Sequence, residues 1–261
     1  DVAEFLQDAV FLKLHRKIRL RYDGGSISHE YMLLTPVGED SIAICPECGY
    51  SANVEAAPSI IKNENKIPKE ELKEVSTPGT GTIEELCDFL KIPAENTAKA
   101  VVYQKNADDS YIVAFIRGDL DINETKLTNA VGEDIHPAVI EDDSILTAGF
   151  IGPVGISDKV TVYFDNSLEG IDYLVTGANK VDTHYTGFNV ERDCPDAKYV
   201  DLAKITEGGI CPNCGKPVIN ISRGIEVGNI FQLGTKYSKA MNLHTQTKMV
   251  RNSILLWDVT V

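Results

Sequence analysis

Four of the six cysteines fall in two matching pentapeptides, Cys45-Pro-Glu-Cys48-Gly and Cys211-Pro-Asn-Cys214-Gly. Paired thiols at this spacing suit a metal or a redox couple, and in a chain without secretory features they outrank a disulfide framework. Four thiolates fill a tetrahedron and leave no open position, so the metal chemistry that fits Cys45, Cys48, Cys211 and Cys214 is structural Zn2+. Two separate redox or unliganded pairs are the alternative. Cys87 and Cys194 stand alone. No Ser-His-Asp or Cys-His nucleophile is evident.

Cys48 and Cys211 stand 163 positions apart, too far for one compact ribbon. The spacing predicts an outer module interrupted by an insert, with the two knuckles meeting in space. Residues 56–81 read as a polar linker punctuated by Pro and Gly, and Glu207-Gly-Gly marks the return. The chain therefore divides into 1–55 with the first knuckle, an insert at 56–205, and 206–261 with the second. Within the insert, Thr82 and Glu85 form a capping box ahead of Ile83, Leu86, Cys87 and Leu90 on one helical face. Cys87 then reads as a small buried apolar residue. Thr97–Gln104 and Tyr111–Arg117, rich in β-branched and aromatic residues, predict a hairpin across the turn at 106–110. Val160–Phe164 predicts a third strand, and helices are expected near Asn123 and Asp143. The insert is a mixed α/β domain.

Outside the insert, Gly24 to Leu34 reads as a polar cluster feeding a strand, with His29 and Glu30 in it. In the segment from Arg223, alternation predicts Glu226 on one strand face and Ile225 and Val227 on the other. Such polar residues could line a small-molecule pocket or a wet sheet face. The basic run Lys13, His15, Arg16, Lys17, Arg19, Arg21 reads as a solvated face. A hydrophobic content of 43% and a charged content of 25% predict a packed core. The net charge of −14 excludes a general nucleic-acid binder, because phosphate affinity rests on Lys and Arg. A grip on one RNA end stays open. No apolar run reaches membrane-spanning length, and Asp1 to Asp8 do not read as a secretory leader, so a cytoplasmic protein is expected.

The segments GGSISHEYMLL (24–34), GEDSIAICPECGYSANVEAA (38–57) and RGIEVGNIFQLGTKYSKAM (223–241) resemble stretches flanking the insertion domain of bacterial-type prolyl-tRNA synthetases. The resemblance covers roughly residues 23–241 of the chain. It implies an α+β architecture: a mixed α/β, YbaK-like editing domain set into fragments of a class II synthetase antiparallel-sheet domain. It implies hydrolysis of the ester in alanyl-tRNA for proline, assisted by the terminal ribose hydroxyl. The partners implied are the acceptor end of proline tRNA and its alanine or proline moiety, with a homodimer expected from the family.

Matched to the family, the strand lysine of NTAKAVVYQ is Lys99, and the Gly-x-x-x-Pro loop is Gly149 to Pro153. The aspartate after the third strand is Asp165, and the histidine of the last motif is His184, preceded by the turn Gly177-Ala178-Asn179. The resemblance makes Lys99 a cation for the terminal phosphate or ribose oxygens. The loop from Gly149 through Gly152 to Pro153 becomes an oxyanion loop through its N–H groups, Asp165 a ligand for the α-amino group, and His184 a wall of the alanine pocket. Gly177, Ala178, Asn179, His29, Glu30 and Glu226 become substrate contacts. Read without the family, Lys99 is a solvent-facing strand lysine, Gly149–Pro153 a turn, Asp165 a turn cap and His184 a surface histidine. Residues 12–22 do not read as the family's Phe-Arg-x-Glu motif, no Gly-rich arginine motif follows Met241, and Asn229 stands where histidine is expected. ATP and Mg2+ are therefore implied only under a second reading, proline-tRNA ligase or part of one; a non-catalytic tRNA-binding module is the third.

Overall fold

The computed structural model describes residues 11–16, 28–63, 67–140, 145–246, 252–254 and 257–260. The chain divides into two compact units, one made of Asp1–Pro58 with Ile205–Val261 and the other of Ser59–Lys204. The outer unit begins with β1 (Phe11–Arg16), β2 (Ser28–Leu34), β3 (Asp40–Ile44) and β4 (Ser51–Asn53).

The insert follows as β5 (Lys73–Ser76), α1 (Ile83–Leu90), β6 (Ala98–Lys105), β7 (Tyr111–Arg117), α2 (Glu124–Val131), β8 (Ile135–Pro137), β9 (Thr161–Asp165), β10 (Leu174–Gly177), β11 (Thr183–Phe188), α3 (Val190–Asp193) and β12 (Tyr199–Val200). Its larger sheet runs β12-β9-β7-β6-β8 and its smaller one β10-β11-β5. β6 and β7 form the expected antiparallel hairpin, while β9 lies parallel to β7. Because side chains alternate across a strand, the almost unbroken apolar run of β7 feeds two cores. Val113 and Phe115 pack with Phe164, Leu174 and Phe188 on one side. Ile112, Ala114 and Ile116 pack with Leu127 and Leu202 on the other.

Local chemistry starts and stops the helices. The Thr82 side chain accepts from the Glu85 N–H and the Glu85 carboxylate accepts from the Thr82 N–H, a complete capping box, and Lys91 closes α1 in the left-handed conformation. Asn123 caps α2 by accepting from the Lys126 N–H. Two expectations change. Lys73–Ser76, expected as linker, forms an edge strand because β11 supplies a ladder partner for it. The helix expected near Asp143 would begin outside the described residues, and 145–149 is turn and bend.

After the insert come β13 (Asn220–Gly234), α4 (Lys236–Ala240), β14 (His244–Gln246), β15 (Asn252–Ile254) and β16 (Trp257–Thr260). The outer sheet runs β1-β2-β13-β3-β4, with β16 also on β13. Long β13 pairs antiparallel first with β3, then with β2 and finally with β16. A register shift between Glu226 and Gly228 breaks the expected alternation, and Ile225, Glu226 and Val227 are all exposed. Such an irregularity re-aims side chains that strict alternation would place on opposite faces. Lys17, Arg19 and Arg21 of the basic run lie outside the described residues. No helix among the described residues is long and apolar enough to cross a membrane.

Phe115, fully buried between β9 and the smaller sheet's contributions, tests this layout. Phe115→Ala is expected to cost about 3–5 kcal/mol, measured as a shift of the denaturant midpoint.

Candidate active site

Between the two sheets of the insert lies a cavity of about 230 Å³. Its walls are Ala98, Lys99 and Ala100 from β6, Thr176 and Gly177 from β10, His184 from β11, Gly149 and Ile151 from the connecting loop, and Gly81, Thr82, Ile83 and Leu86 at the start of α1. The sheets are tied together beside it, since the Thr176 hydroxyl donates to the Ala98 carbonyl (3.1 Å) and Thr97 bridges Val175.

The loop reaches β10 backbone against backbone. A Cβ at Gly152 would stand 1.6 Å from the Gly177 carbonyl oxygen, and one at Gly177 would stand 2.3 Å from that of Phe150. Only glycine allows such an approach. The Gly152 N–H donates to Asn179 Oδ1 (3.0 Å), so it is engaged within the protein, and Pro153 has no N–H to offer. Among the described residues the Gly149 and Ile151 N–H groups have no acceptor. Of the Gly149–Pro153 loop, the N–H groups of Gly149 and Ile151 are therefore the ones still available as donors among the described residues.

His184 is 4% exposed. Its Nδ1 shares a 2.7 Å hydrogen bond with the Thr77 hydroxyl, and its ring meets Phe150 edge to face. Burial lowers its pKa from 6.5 to about 4, which keeps the imidazole neutral near pH 7. Lys99 lies where the cavity meets a neighbouring groove of about 590 Å³, also lined by Glu84, Cys87, Asp88, Asp119 and Asp121. Its Nζ is 3.3 Å from Asp121 Oδ1, whose side chain is 80% exposed. With its carboxylate in water, the pair is weakly held. Cys87 is a partly exposed groove residue rather than a core one.

Asp165 is not a wall of this cavity. It is buried, and its carboxylate accepts from the Ser167 N–H (2.8 Å) and from the Leu202 and Ala203 N–H groups (2.7 and 2.9 Å). It ties β9 to the chain beyond β12, the satisfied state a buried carboxylate requires. Ala178 is buried with its N–H on the Thr183 carbonyl, and Asn179 bonds the loop instead of facing the cavity. His29, Glu30 and Glu226 belong to the outer sheet. Glu30 is registered opposite Asn229 and Glu226 opposite Met32; the side chains of His29 and Glu30 lie outside the described residues.

The outer unit does bring the four expected cysteines together. Their sulfurs all lie within 4.8 Å of one another, with Cys45 to Cys214 at 3.7 Å and Cys48 to Cys211 at 3.6 Å. Metal–sulfur bonds of about 2.3 Å in a tetrahedron put sulfurs about 3.8 Å apart, so the donor set and its spacing fit. The knuckles repeat one geometry. Cys45 and Cys211 N–H donate to the Tyr50 and Lys216 carbonyls, and Gly49 and Gly215 N–H donate back to the Cys45 and Cys211 carbonyls. Asn213 adds donors to sulfur, its N–H to Cys211 Sγ (3.4 Å) and its amide to Cys48 Sγ (3.3 Å). This cluster could hold a metal ion.

Every residue of the insert's cavity falls inside residues 77–193, which match the family described as the aminoacyl-tRNA editing domain. That match covers most of the insert. Over 224 residues, 84% of its length, the chain is 43% identical to a proline–tRNA ligase of Caldicellulosiruptor bescii and 41% identical to one of Trichlorobacter lovleyi. It spans about 38% of the length of each. A solved structure of a candidate trans-editing enzyme for prolyl tRNA synthetase is 19% identical, with a TM-score of 0.45 over 51% of this chain and 87% of that one. The resemblance to bacterial prolyl-tRNA synthetases read from the sequence is borne out.

The insert holds residues in and beside the cavity that sequence reasoning missed. Ile83 and Leu86 were legible as one apolar helical face, but that pattern does not separate a pocket wall from core. Thr77 and Thr176 carried no signal, since each acts through a partner more than 75 positions away in the chain.

His184 makes the domain acid-sensitive. An unfolded histidine takes up its proton near pH 6.5, the buried one only near 4. Between these values the unfolded state holds the extra proton. Its contribution is complete above 6.5 and falls away as pH drops toward 4. Denaturant titrations across this window should show that decline, and His184→Asn should flatten it.

Proposed function

We propose that the editing domain hydrolyses the ester joining alanine to the terminal ribose of proline tRNA. The observation that carries this reading is one small cavity, within the matched segment, bounded by apolar side chains, two amides without an acceptor among the described residues, a neutral histidine and a lysine at its edge. An aminoacyl ester is already activated, so positioning a water against its carbonyl supplies much of what hydrolysis needs. As water adds, the Gly149 and Ile151 N–H groups take the developing oxyanion. Lys99 exchanges Asp121 for the terminal phosphate or ribose oxygens. His184, neutral and oriented through Thr77, lines the pocket and offers a hydrogen bond rather than a charge. The terminal ribose hydroxyl assists the water. Ile83, Leu86 and Ile151 limit the side-chain space, so alanine enters and the proline ring is refused, the logic of a second sieve. A substrate of this kind places the work in the cytoplasm.

Deacylation of alanine- and proline-charged tRNA by the purified chain tests the reading. Alanyl ester should be cleaved selectively, and Lys99→Ala should slow the reaction on the order of 10²-fold. Equal rates on both esters would sink the small-pocket argument.

Proline-tRNA ligation is a second reading, favoured by the names of the relatives matched over 84% of the chain. It requires ATP and Mg2+, and proline-dependent ATP–pyrophosphate exchange is its test.

In the outer unit, Cys45, Cys48, Cys211 and Cys214 hold one structural Zn2+. Thiolates select zinc over magnesium or calcium, and no ligand position is left open for chemistry. Elemental analysis should give one zinc per chain. Chelation should loosen the outer unit while deacylation persists; loss of deacylation with the insert still folded would assign the metal a role in the reaction.

A further inference from the structure

The segment that carries the Gly149 and Ile151 amides has no helix or strand of its own, yet it must hold those amides still for them to act on an oxyanion. Its contacts with β10 converge on Asn179. That residue sits in the left-handed conformation at φ 56, just past the end of the strand. Its carboxamide oxygen accepts from the Gly152 N–H (3.0 Å), and its amide donates to the Gly152 and Val154 carbonyls (2.9 and 3.0 Å). Its backbone N–H donates to the Phe150 carbonyl (2.8 Å), and its carbonyl accepts from the Thr147 hydroxyl (3.1 Å). The bonded groups at Thr147, Phe150, Gly152 and Val154 flank both candidate donors. Asn179 thus holds the backbone on either side of them, while the Gly149 and Ile151 N–H groups have no acceptor among the described residues.

We propose that Asn179 is a positioning residue for the hydrolysis, setting the Gly149 and Ile151 N–H groups against the carbonyl of the bound ester without touching the substrate. The proposal rests on the deacylase reading above. The side chain is specific in this role. Aspartate would keep the acceptor for Gly152 N–H but lose both donors, and glycine would keep the left-handed backbone while losing the whole carboxamide.

The test is Asn179→Gly, which separates side chain from backbone conformation, measured with alanyl-tRNA and by amide hydrogen exchange on the free protein. Expected are a fall in kcat on the order of 10²-fold with KM little changed, faster exchange confined to 147–154, and unaltered exchange in β7. Asn179→Asp should not restore kcat. A merely structural role would move β7 exchange and the melting temperature together and leave the folded fraction fully active. Wild-type kcat in Asn179→Gly, or unchanged loop exchange, would overturn this proposal alone. A wild-type chain that deacylates nothing would overturn the deacylase reading and this proposal with it.

Discussion

β7 is buried on both faces, and the insert is built outward from that fact. A strand whose alternate side chains all enter a core cannot slip by one residue without moving both cores. Its register with β6 therefore fixes where Ala98, Lys99 and Ala100 stand, and its parallel pairing with β9 fixes where the chain turns toward the smaller sheet. The cavity occupies the place where the two sheets approach without merging. Hydrophobic burial thus sets the frame, and a few polar contacts decide what faces the opening.

Those polar contacts follow one rule, that a buried polar group must be paired. Asp165 takes backbone N–H groups from two segments, and Asn189 caps α3 while donating to the Ile171 carbonyl. Thr77 and His184 satisfy each other. Two loop amides without an acceptor among the described residues, those of Gly149 and Ile151, border the cavity. On the proposed reading, backbone amides, a neutral imidazole and a lysine at the cavity's edge would suit a substrate that brings its own leaving group and hydroxyl. On that reading no strong nucleophile needs to be housed, so the cavity can remain small.

What could be read from the sequence was local. The Thr82–Glu85 box, the helix start near Asn123 and the hairpin of β6 and β7 depend on neighbours within a few positions, and each formed as expected. β5 was not legible, because a four-residue strand gains its identity from β11, more than a hundred positions later. The bulge after Glu226 hid in an alternating pattern that a single extra residue disrupts. Asp165 and Asn179 show the same limit at the level of the site. Residue type marked both as polar and turn-prone, but their partners, and so their roles, come from the tertiary fold. Lys99 and His184 stood out through family likeness; nothing in their own surroundings in sequence separates them from ordinary surface residues.

The separation of the knuckles has a consequence for biosynthesis. Cys48 and Cys211 are 163 positions apart, and a ribosome adding about 5–20 residues per second needs roughly 8–30 s to cover that distance. For all that time the first knuckle has left the ribosome with half a ligand set, and β3 waits for its partner in β13. The insert, whose contacts close within its own span, has time to fold first. Until the second knuckle emerges, two thiols are open to oxidants and to stray metal. The order of synthesis therefore assigns the vulnerable interval to the outer unit and spares the domain that carries the cavity.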